Sequence, residues 1–474
     1  MLAFAAPLIL GNLLQQFYNI ADTFIVGRFL GSQALAAVGS SYTLMTFLTS
    51  ILLGLCMGSG AVVSIQFGQK DPDKMKNSIF ISFCMIALVT LLLMTAVFLL
   101  IDPIIHLLQV PSEIYDLMRE YLWIIFMGIG FTFLYNYLAS LLRAVGNSLI
   151  PLIFLLVSAL VNIGLDLLFV IGFHWGVGGA AAATVVAQGL SAIGIFLYTL
   201  LRFPQLRPQK EHRHFAPWAI RNIFQYSFLT CLQQSVMNFG ILMVQGLVNS
   251  FGTNVMAAFA AAVKIDSFAY MPVQDFGNAF STFVGQNFGA KQPQRIKAGI
   301  KSAVSVAALF SIAVSALVFI FARPLLTIFI DPAETEILAI GTGYLRIEGA
   351  FYCGIGCLFL LYGLYRAINR PGMSVVLTII SLGTRVLLAY VLSAIPAIGV
   401  TGIWWAIPIG WFLADLYGLL YYKKHSTLLN LNDKQTYSSG PRSLKNRFHF
   451  VILGALCLSW TMSLLWTLPI RIDS

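Results

Sequence analysis

The sequence predicts an all-α integral membrane protein of two pseudo-symmetric six-helix lobes, twelve transmembrane helices in all, with a thirteenth helix towards the C-terminus. Three observations lead there. Of 474 residues, 59% are hydrophobic and only 10% charged, with mean hydropathy +0.85, whereas soluble domains carry about 25% charged residues. Continuous apolar runs, long enough to cross a bilayer, recur along the chain and do not alternate, which selects helices over a β-barrel. The chain also repeats itself. Gly68-Gln69-Lys70-Asp71-Pro72 returns as Gly289-Ala290-Lys291-Gln292-Pro293, and Lys76 as Lys297, both 221 residues on. Arg143-Ala144-Val145-Gly146-Asn147 returns as Arg366-Ala367-Ile368-Asn369-Arg370, and Gly176-Val177-x-Gly179 as Gly399-Val400-x-Gly402, both 223 residues on.

The apolar runs place helical spans at 3–29, 35–66, 78–101, 114–142, 149–173, 178–202, 219–249, 255–287, 298–322, 335–365, 372–396, 400–422 and 448–469. Several exceed the roughly 20 residues that suffice to cross, and are expected to tilt or project. The expected organisation is a first lobe at 1–203, a basic linker at 204–218, a second lobe at 219–424, a second linker at 425–447 and the extra helix at 448–470. Six spans per half give both halves one orientation, with the pseudo-two-fold axis along the membrane normal, as in many secondary transporters. The extra helix, with Trp460 and Trp466, falls outside the repeat and reads as peripheral.

Charge sets direction. Most of the 28 Lys and Arg lie beside the loops that follow even-numbered spans, while Arg28, Arg119, Arg323, Arg346 and Arg471 flank the other side. The positive-inside rule then predicts a cytoplasmic N-terminus in a multi-pass plasma (bacterial inner) membrane protein. This spread accounts for the net charge of +10 without nucleic acid as a partner. Met1 leads directly into the apolar run Leu2 to Leu10 with no basic leader, so the first span is expected to stay in the protein, and the start reads as trimmed. The six cysteines lie in apolar segments without zinc-ligand spacing. His106, His174, His212, His214, His425 and His449 are scattered in or near loops and read as solvated or interfacial.

The informative residues are polar ones inside the spans. An intramembrane acid is costly and points to function. Asp22 lies within span 1 and Asp166 within span 5, and Asn162 sits one helical turn before Asp166, so that an amide and a carboxyl present themselves to one spot. Thr184 in span 6 can add a hydroxyl. Such oxygens suit sodium, or a proton shared between acids. In the repeat register Asn162 falls on Arg385, Asp166 on Ala389 and Asp22 on Gly240, so the acidic set belongs to the first half alone. The second half offers Asp275, Glu348 and Arg385 as gate or cavity charges, Arg385 pairing with Asp275 or Glu348, and Lys264 and Asp266 near a water-filled cavity. Pro7, Pro151 and Pro272 can bend spans, and a bend at Pro7 would move Asp22 on the same helix.

Tyr18-Asn19-x-x-Asp22, Val284-Gly285-Gln286-Asn287-Phe288-Gly289-Ala290, Arg143-Ala144-x-Gly146-Asn147 and Asn162-x-x-x-Asp166, in this order, resemble the multidrug and toxic compound extrusion (MATE) transporters across spans 1 to 12. The resemblance implies two six-helix lobes around a cavity, and export of organic, often cationic, compounds against inward sodium or protons. It also implies an ion site at Asp22, Asn162, Asp166 and Thr184 and a helix bend at Pro7. Some bacterial branches place a glutamate in span 7 and an aspartate in span 10; here span 7 offers Gln233 and Gln234, and span 10 has no acid near Ile355. The chain therefore looks nearer the DinF-like branch, and its thirteenth span is unusual.

The leading expectation is an ion-coupled exporter that works by alternating access as a monomer, with H+ or Na+ as coupling ion, no other cofactor, and small organic molecules and the bilayer as partners. A flippase for lipid-linked or other anionic precursors is the alternative; a cavity for such cargo needs more cations than Lys264 and Arg385. A membrane enzyme or scaffold is more remote, since no clustered nucleophiles, His-rich metal set or phosphate loop is present.

Overall fold

In the computed structural model the described residues are 1–107, 110 and 112–425, so the predicted second linker and the helix at 448–470 lie outside them. The first half comprises α1 (Leu2–Phe29), α2 (Ser32–Gln69), α3 (Pro72–Leu99), the short α4 (Ile101–Leu107), α5 (Ser112–Met127), α6 (Ile129–Ala144), α7 (Leu149–Asp166) and α8 (Gly176–Arg202). The second comprises α9 (Pro217–Asn249), α10 (Thr253–Gly289), α11 (Pro293–Leu326), α12 (Thr335–Gly349), α13 (Tyr352–Ala367), α14 (Pro371–Ser393) and α15 (Val400–Lys424). Prolines at the first helical position start α3, α9, α11 and α14, where a missing N–H costs nothing. Asp71 caps α3 by accepting from the Lys74 backbone N–H at 3.1 Å.

Nine of these helices are long and apolar enough to cross a membrane, and two bent pairs raise the number to 11. Predicted spans 4 and 10 are the bent pairs: α5 and α6 meet at 43°, α12 and α13 at 50°. The breaks fall at Gly128 and at Ala350–Phe351, in repeat register, where the apolar run itself is uninterrupted. Helix α1 is long but less apolar, because Asn12, Gln15, Gln16, Asn19 and Asp22 punctuate it. Pro7 lies inside α1, which continues through it from Leu2 to Phe29.

The buried apolar residues form two main clusters. One joins α2, α3, α5 and α6 with parts of α7, α8 and the end of α1; the other joins α10 to α15 with the end of α9. Ala5 and Leu8, near the start of α1, belong to the second cluster, and Ile25 and Val26, near its end, to the first. Helix α1 therefore runs from one half's core to the other's. Outward, α3 and α11 carry exposed leucines, isoleucines and phenylalanines such as Leu88, Leu91, Leu309 and Ile320, the surface that lipid covers.

The repeat is visible in the backbone. Positive φ occurs at Gly31 and Gly252, Lys70 and Lys291, Gly146 and Asn369, Gly176 and Gly399. Each pair is separated by one of the two repeat offsets, so the same left-handed turns are built twice. The halves meet on glycines. A Cβ on Gly68 of α2 would strike the carbonyl of Gln286 in α10, and a Cβ on Gly289 of α10 would strike the carbonyl of Ile65 in α2. Gln286 and Ile65 are also repeat mates, so this is one contact made twice about the pseudo-two-fold axis. Gly54 and Gly58 pack against the α9 backbone near Cys231 and Tyr226. Gly39 and Gly246, towards the other ends of α2 and α9, face open space. The halves thus lock along the C-terminal part of α2 and stand apart beyond it.

Candidate functional site

Asp22, Asn162, Asp166 and Thr184 come together. Helix α7 presents Asn162 and Asp166 one turn apart, both buried, and α8 brings Thr184 against them. With its amide oriented to match donors to acceptors, Asn162 donates to Asp166 Oδ2 at 3.1 Å and accepts from Thr184 Oγ1 at 3.2 Å and Thr184 N at 3.3 Å. Asp22, half-buried on α1, lies within hydrogen-bonding reach of the Asp166 carboxyl. The Tyr18 hydroxyl, one turn before Asp22, lies near Thr184, and the buried Tyr121 of α5 is within electrostatic reach of both acids.

Two carboxyls in contact need a proton or a cation between them, because like charges at that distance repel strongly out of water. Oδ1 of Asp22 and Oδ1 of Asp166 are both buried, and no donor of the described residues reaches either. The remaining donor set is carboxylate, amide and hydroxyl oxygen, which fits a proton or a hard monovalent cation. Immediately after Asp166 the chain leaves the α-helix for a π-helical turn, Leu167–Gly172. Such turns are rare and frequent at functional sites, and nothing in the apolar sequence there marks it.

Of the two partners expected for Arg385, Glu348 and not Asp275 lies within its electrostatic reach. Asp275 does not pair with Arg385; it is buried and accepts from Asn12 Nδ2 of α1 at 2.6 Å. Glu348 and Asp266 are both buried and lie within electrostatic reach of each other and of Arg385, with Tyr344 near Glu348 and Tyr352 near Asp266; the Tyr352 hydroxyl, Asp266 Oδ1 and Glu348 Oε2 find no hydrogen-bond partner among the described residues. Arg385 is only partly buried and lies within reach of this pair's field. Lys264 leaves the group altogether, its ammonium 5.7 Å from the Phe329 ring centre. Asp415 of α15, buried against Cys357 of α13, is a further intramembrane acid. The rule that selected Asp22 would have found it, since it interrupts the apolar run Trp411 to Leu420.

His212 is not solvated. The linker folds back beneath the first half through 3₁₀ turns at Pro204–Leu206 and Lys210–His212. Asn77 of α3 donates to the carbonyls of His212 and His214, both at 2.8 Å. The buried His212 ring accepts from Gln209 N at Nδ1 (3.2 Å), which leaves Nε2 to donate to Asp73 Oδ1 at 3.1 Å. No group of three or more His, Cys, Asp or Glu placed to hold a metal occurs among the described residues.

A two-fold repeated helical membrane protein, with two acids meeting inside the apolar region where three helices join, has the build of a secondary transporter. The MatE family model matches residues 7–168 and 227–391, and the chain belongs to this family of transporters. Probable multidrug resistance protein YpnP of Bacillus subtilis is 30% identical over 426 residues, 89% of this chain and 93% of its own length. Multidrug export protein MepA of Staphylococcus aureus is 25% identical over 434 residues, 89% of this chain and 92% of its own. The fold is that of a MATE protein crystallised in a bent conformation (TM-score 0.85, 22% identity, 90% of this chain and 95% of that one). It is equally that of a MOP superfamily transporter from Pyrococcus furiosus (TM-score 0.83, 22% identity, 90% and 95%).

Proposed function

We propose that this protein exports organic, predominantly cationic, drugs and toxic compounds by alternating access, driven by inward movement of H+ or Na+. The observation that carries this reading is the contact between Asp22 and Asp166, with Asn162 and Thr184 completing a buried oxygen cage across α1, α7 and α8. A bound ion would join α1 to α7; its loss leaves two carboxyls that repel, and α1 reaches into both cores. Ion binding is thereby coupled to the packing of the two halves. The likeness to YpnP and MepA, named for multidrug resistance and export, supports the substrate class.

The same reading places lobes at 1–203 and 219–424 about linker 204–218, the N-terminus in the cytoplasm of a bacterial inner membrane, the chain nearer the DinF-like branch, and a monomer as the working unit. Pro7 serves as the bend of α1, and Asp275, Glu348 and Arg385 serve as second-half gate charges.

The test is efflux of a fluorescent cationic dye from proteoliposomes, under a sodium gradient and a pH gradient applied separately, with Asp166→Asn as control. Gradient-driven efflux that the variant loses identifies the coupling ion. Absence of efflux under both gradients overturns the reading and directs the assay to lipid-linked cargo.

A further inference from the structure

Where the linker folds beneath the first half it closes one side of a cavity of about 350 Å³ between α3, α6 and α8, within the size range of small-ligand sites, about 300–1,000 Å³. The walls are apolar, with Phe80 and Phe83 from α3, Leu141 from α6 and Phe196 from α8. Phe83 and Phe196 are also exposed on the outer face, so the cleft communicates with the lipid-covered surface. At the other end stand two exposed cations of the linker, Arg207 and Arg213. No acidic side chain lines the cleft among the described residues.

The two guanidiniums are held in place. Arg207 donates through Nε (2.7 Å) and Nη2 to the carbonyl of Leu200, one of the unsatisfied carbonyls at the end of α8. Arg213 donates through Nε to the carbonyl of Pro208 at 3.4 Å. A guanidinium has five N–H donors, so each keeps several for an outside acceptor.

We propose that this cleft binds an anionic phospholipid of the adjoining leaflet, its acyl chain among the phenylalanines and its phosphate on Arg207 and Arg213. Apolar walls alone suit any lipid, and two arginines alone suit any anion; only a lipid with a net negative headgroup uses both. Basic sites between helices at the cytoplasmic face are a recurring form of anionic lipid recognition. The site depends on the proposed orientation only for which leaflet supplies the lipid. Its regulatory meaning comes from the linker, which is the covalent bridge between the halves: a lipid seated there would hold that bridge against α3, beside the Asn77 and His212 contacts.

The test is native mass spectrometry of the full-length protein, delipidated in detergent, titrated with phosphatidylglycerol and phosphatidylcholine of the same acyl chains. The expected result is preferential retention of one phosphatidylglycerol. Arg207→Gln with Arg213→Gln is expected to cost about thirty-fold in its affinity, the worth of two arginines at an anionic surface, with phosphatidylcholine unchanged. Leu141→Trp fills the cleft and leaves both arginines and the α8 end intact; it is expected to reduce retention too, which keeps the proposal testable should the arginine variant fold poorly. Equal retention of the two lipids, undiminished phosphatidylglycerol binding by either folded variant, or displacement by millimolar glycerol phosphate would each overturn it. Detergent presents lipid to both faces, so orientation is read independently, by labelling a cysteine at Gln209 in whole cells with a membrane-impermeant thiol reagent.

Discussion

Asn12 of α1 donates a 2.6 Å hydrogen bond to Asp275 of α10, joining the helix that carries Asp22 to the opposite half of the chain. The two positions on α1 are ten residues apart, roughly 15 Å of helix rise. One end of α1 is thus tied to the second half by a single polar contact, while its other end offers a carboxyl to Asp166.

Asn12→Ala removes the only hydrogen-bond donor that the described residues give Asp275. Stranding a buried carboxyl in this way costs about 1–3 kcal/mol. The expected outcome is a fall of a few degrees in melting temperature by fluorescence thermal shift. A cysteine placed at the start of α1 is expected to become more reactive. An unchanged melting temperature together with unchanged labelling would show that the bond does not hold α1 to α10.

Asp22→Asn and Asp166→Asn are each expected to abolish gradient-driven efflux while the protein still purifies as a folded species. Thr184→Ala is expected to weaken ion affinity about tenfold, as the loss of one neutral ligand or its support does, with transport recovered at higher ion concentration. Proteoliposome transport measures all three, and normal efflux by both aspartate variants would remove the proposed ion site.

Gly68→Ala and Gly289→Ala each drive a methyl group into the opposing backbone at the crossing of α2 and α10. Overpacking of this kind costs typically about 1–3 kcal/mol. The expected effect is similar for both variants, because they occupy equivalent places in the repeat. Gly39→Ala and Gly246→Ala, which meet open space, are expected to be neutral or slightly stabilising. Thermal stability of the four variants checks the ordering.

The Asp71 carboxyl at the start of α3 is held below the usual carboxylate range, first by the Lys74 ammonium at 2.7 Å. A depressed acid stabilises the folded state above its unfolded pKa, about 3.9, and that contribution fades as pH falls through the lower folded value. Asp71→Ala is therefore expected to lose about 1 kcal/mol at neutral pH, the usual worth of an N-cap. The difference from the parent should begin to shrink as pH falls below about 3.9 and be lost through the lower folded value. A difference that did not shrink on acidification below about pH 3.9 would exclude the carboxylate as its source.

The span pattern was legible because burial in lipid leaves long apolar runs, and α9, predicted at 219–249, is found at Pro217–Asn249. The bends in spans 4 and 10 were not, because an apolar run looks the same on either side of a 43° or 50° break. The cage of Asp22, Asn162, Asp166 and Thr184 could be anticipated because two of its members share one helix face and an acid in lipid is conspicuous. The partner of Asp275 could not, since Asn12 lies on a different helix in the other half and an amide in an apolar run attracts little notice. The sequence offers Arg385 either Asp275 or Glu348 as partner; its long side chain leaves the choice to packing, which sets it near Glu348 and Asp266. The burial of His212 is not legible in the sequence, because a polar linker reads as solvated and only the fold pins its backbone to Asn77.

The doubled contact of Gly68 with Gln286 and Gly289 with Ile65 has a bearing on descent. Contacts related by a two-fold axis are what a homodimer makes with itself. A single ancestral half, pairing with its own copy, would have needed only one glycine in its sequence to form both crossings. Once the halves were joined in one chain, each glycine became separately mutable, yet each still fits a surface inherited from the other's twin. Asp22 and Asp166 could arise or persist in one copy while the crossing kept its symmetry, so the joint still records the shape of the ancestor after the two sides had taken on different work.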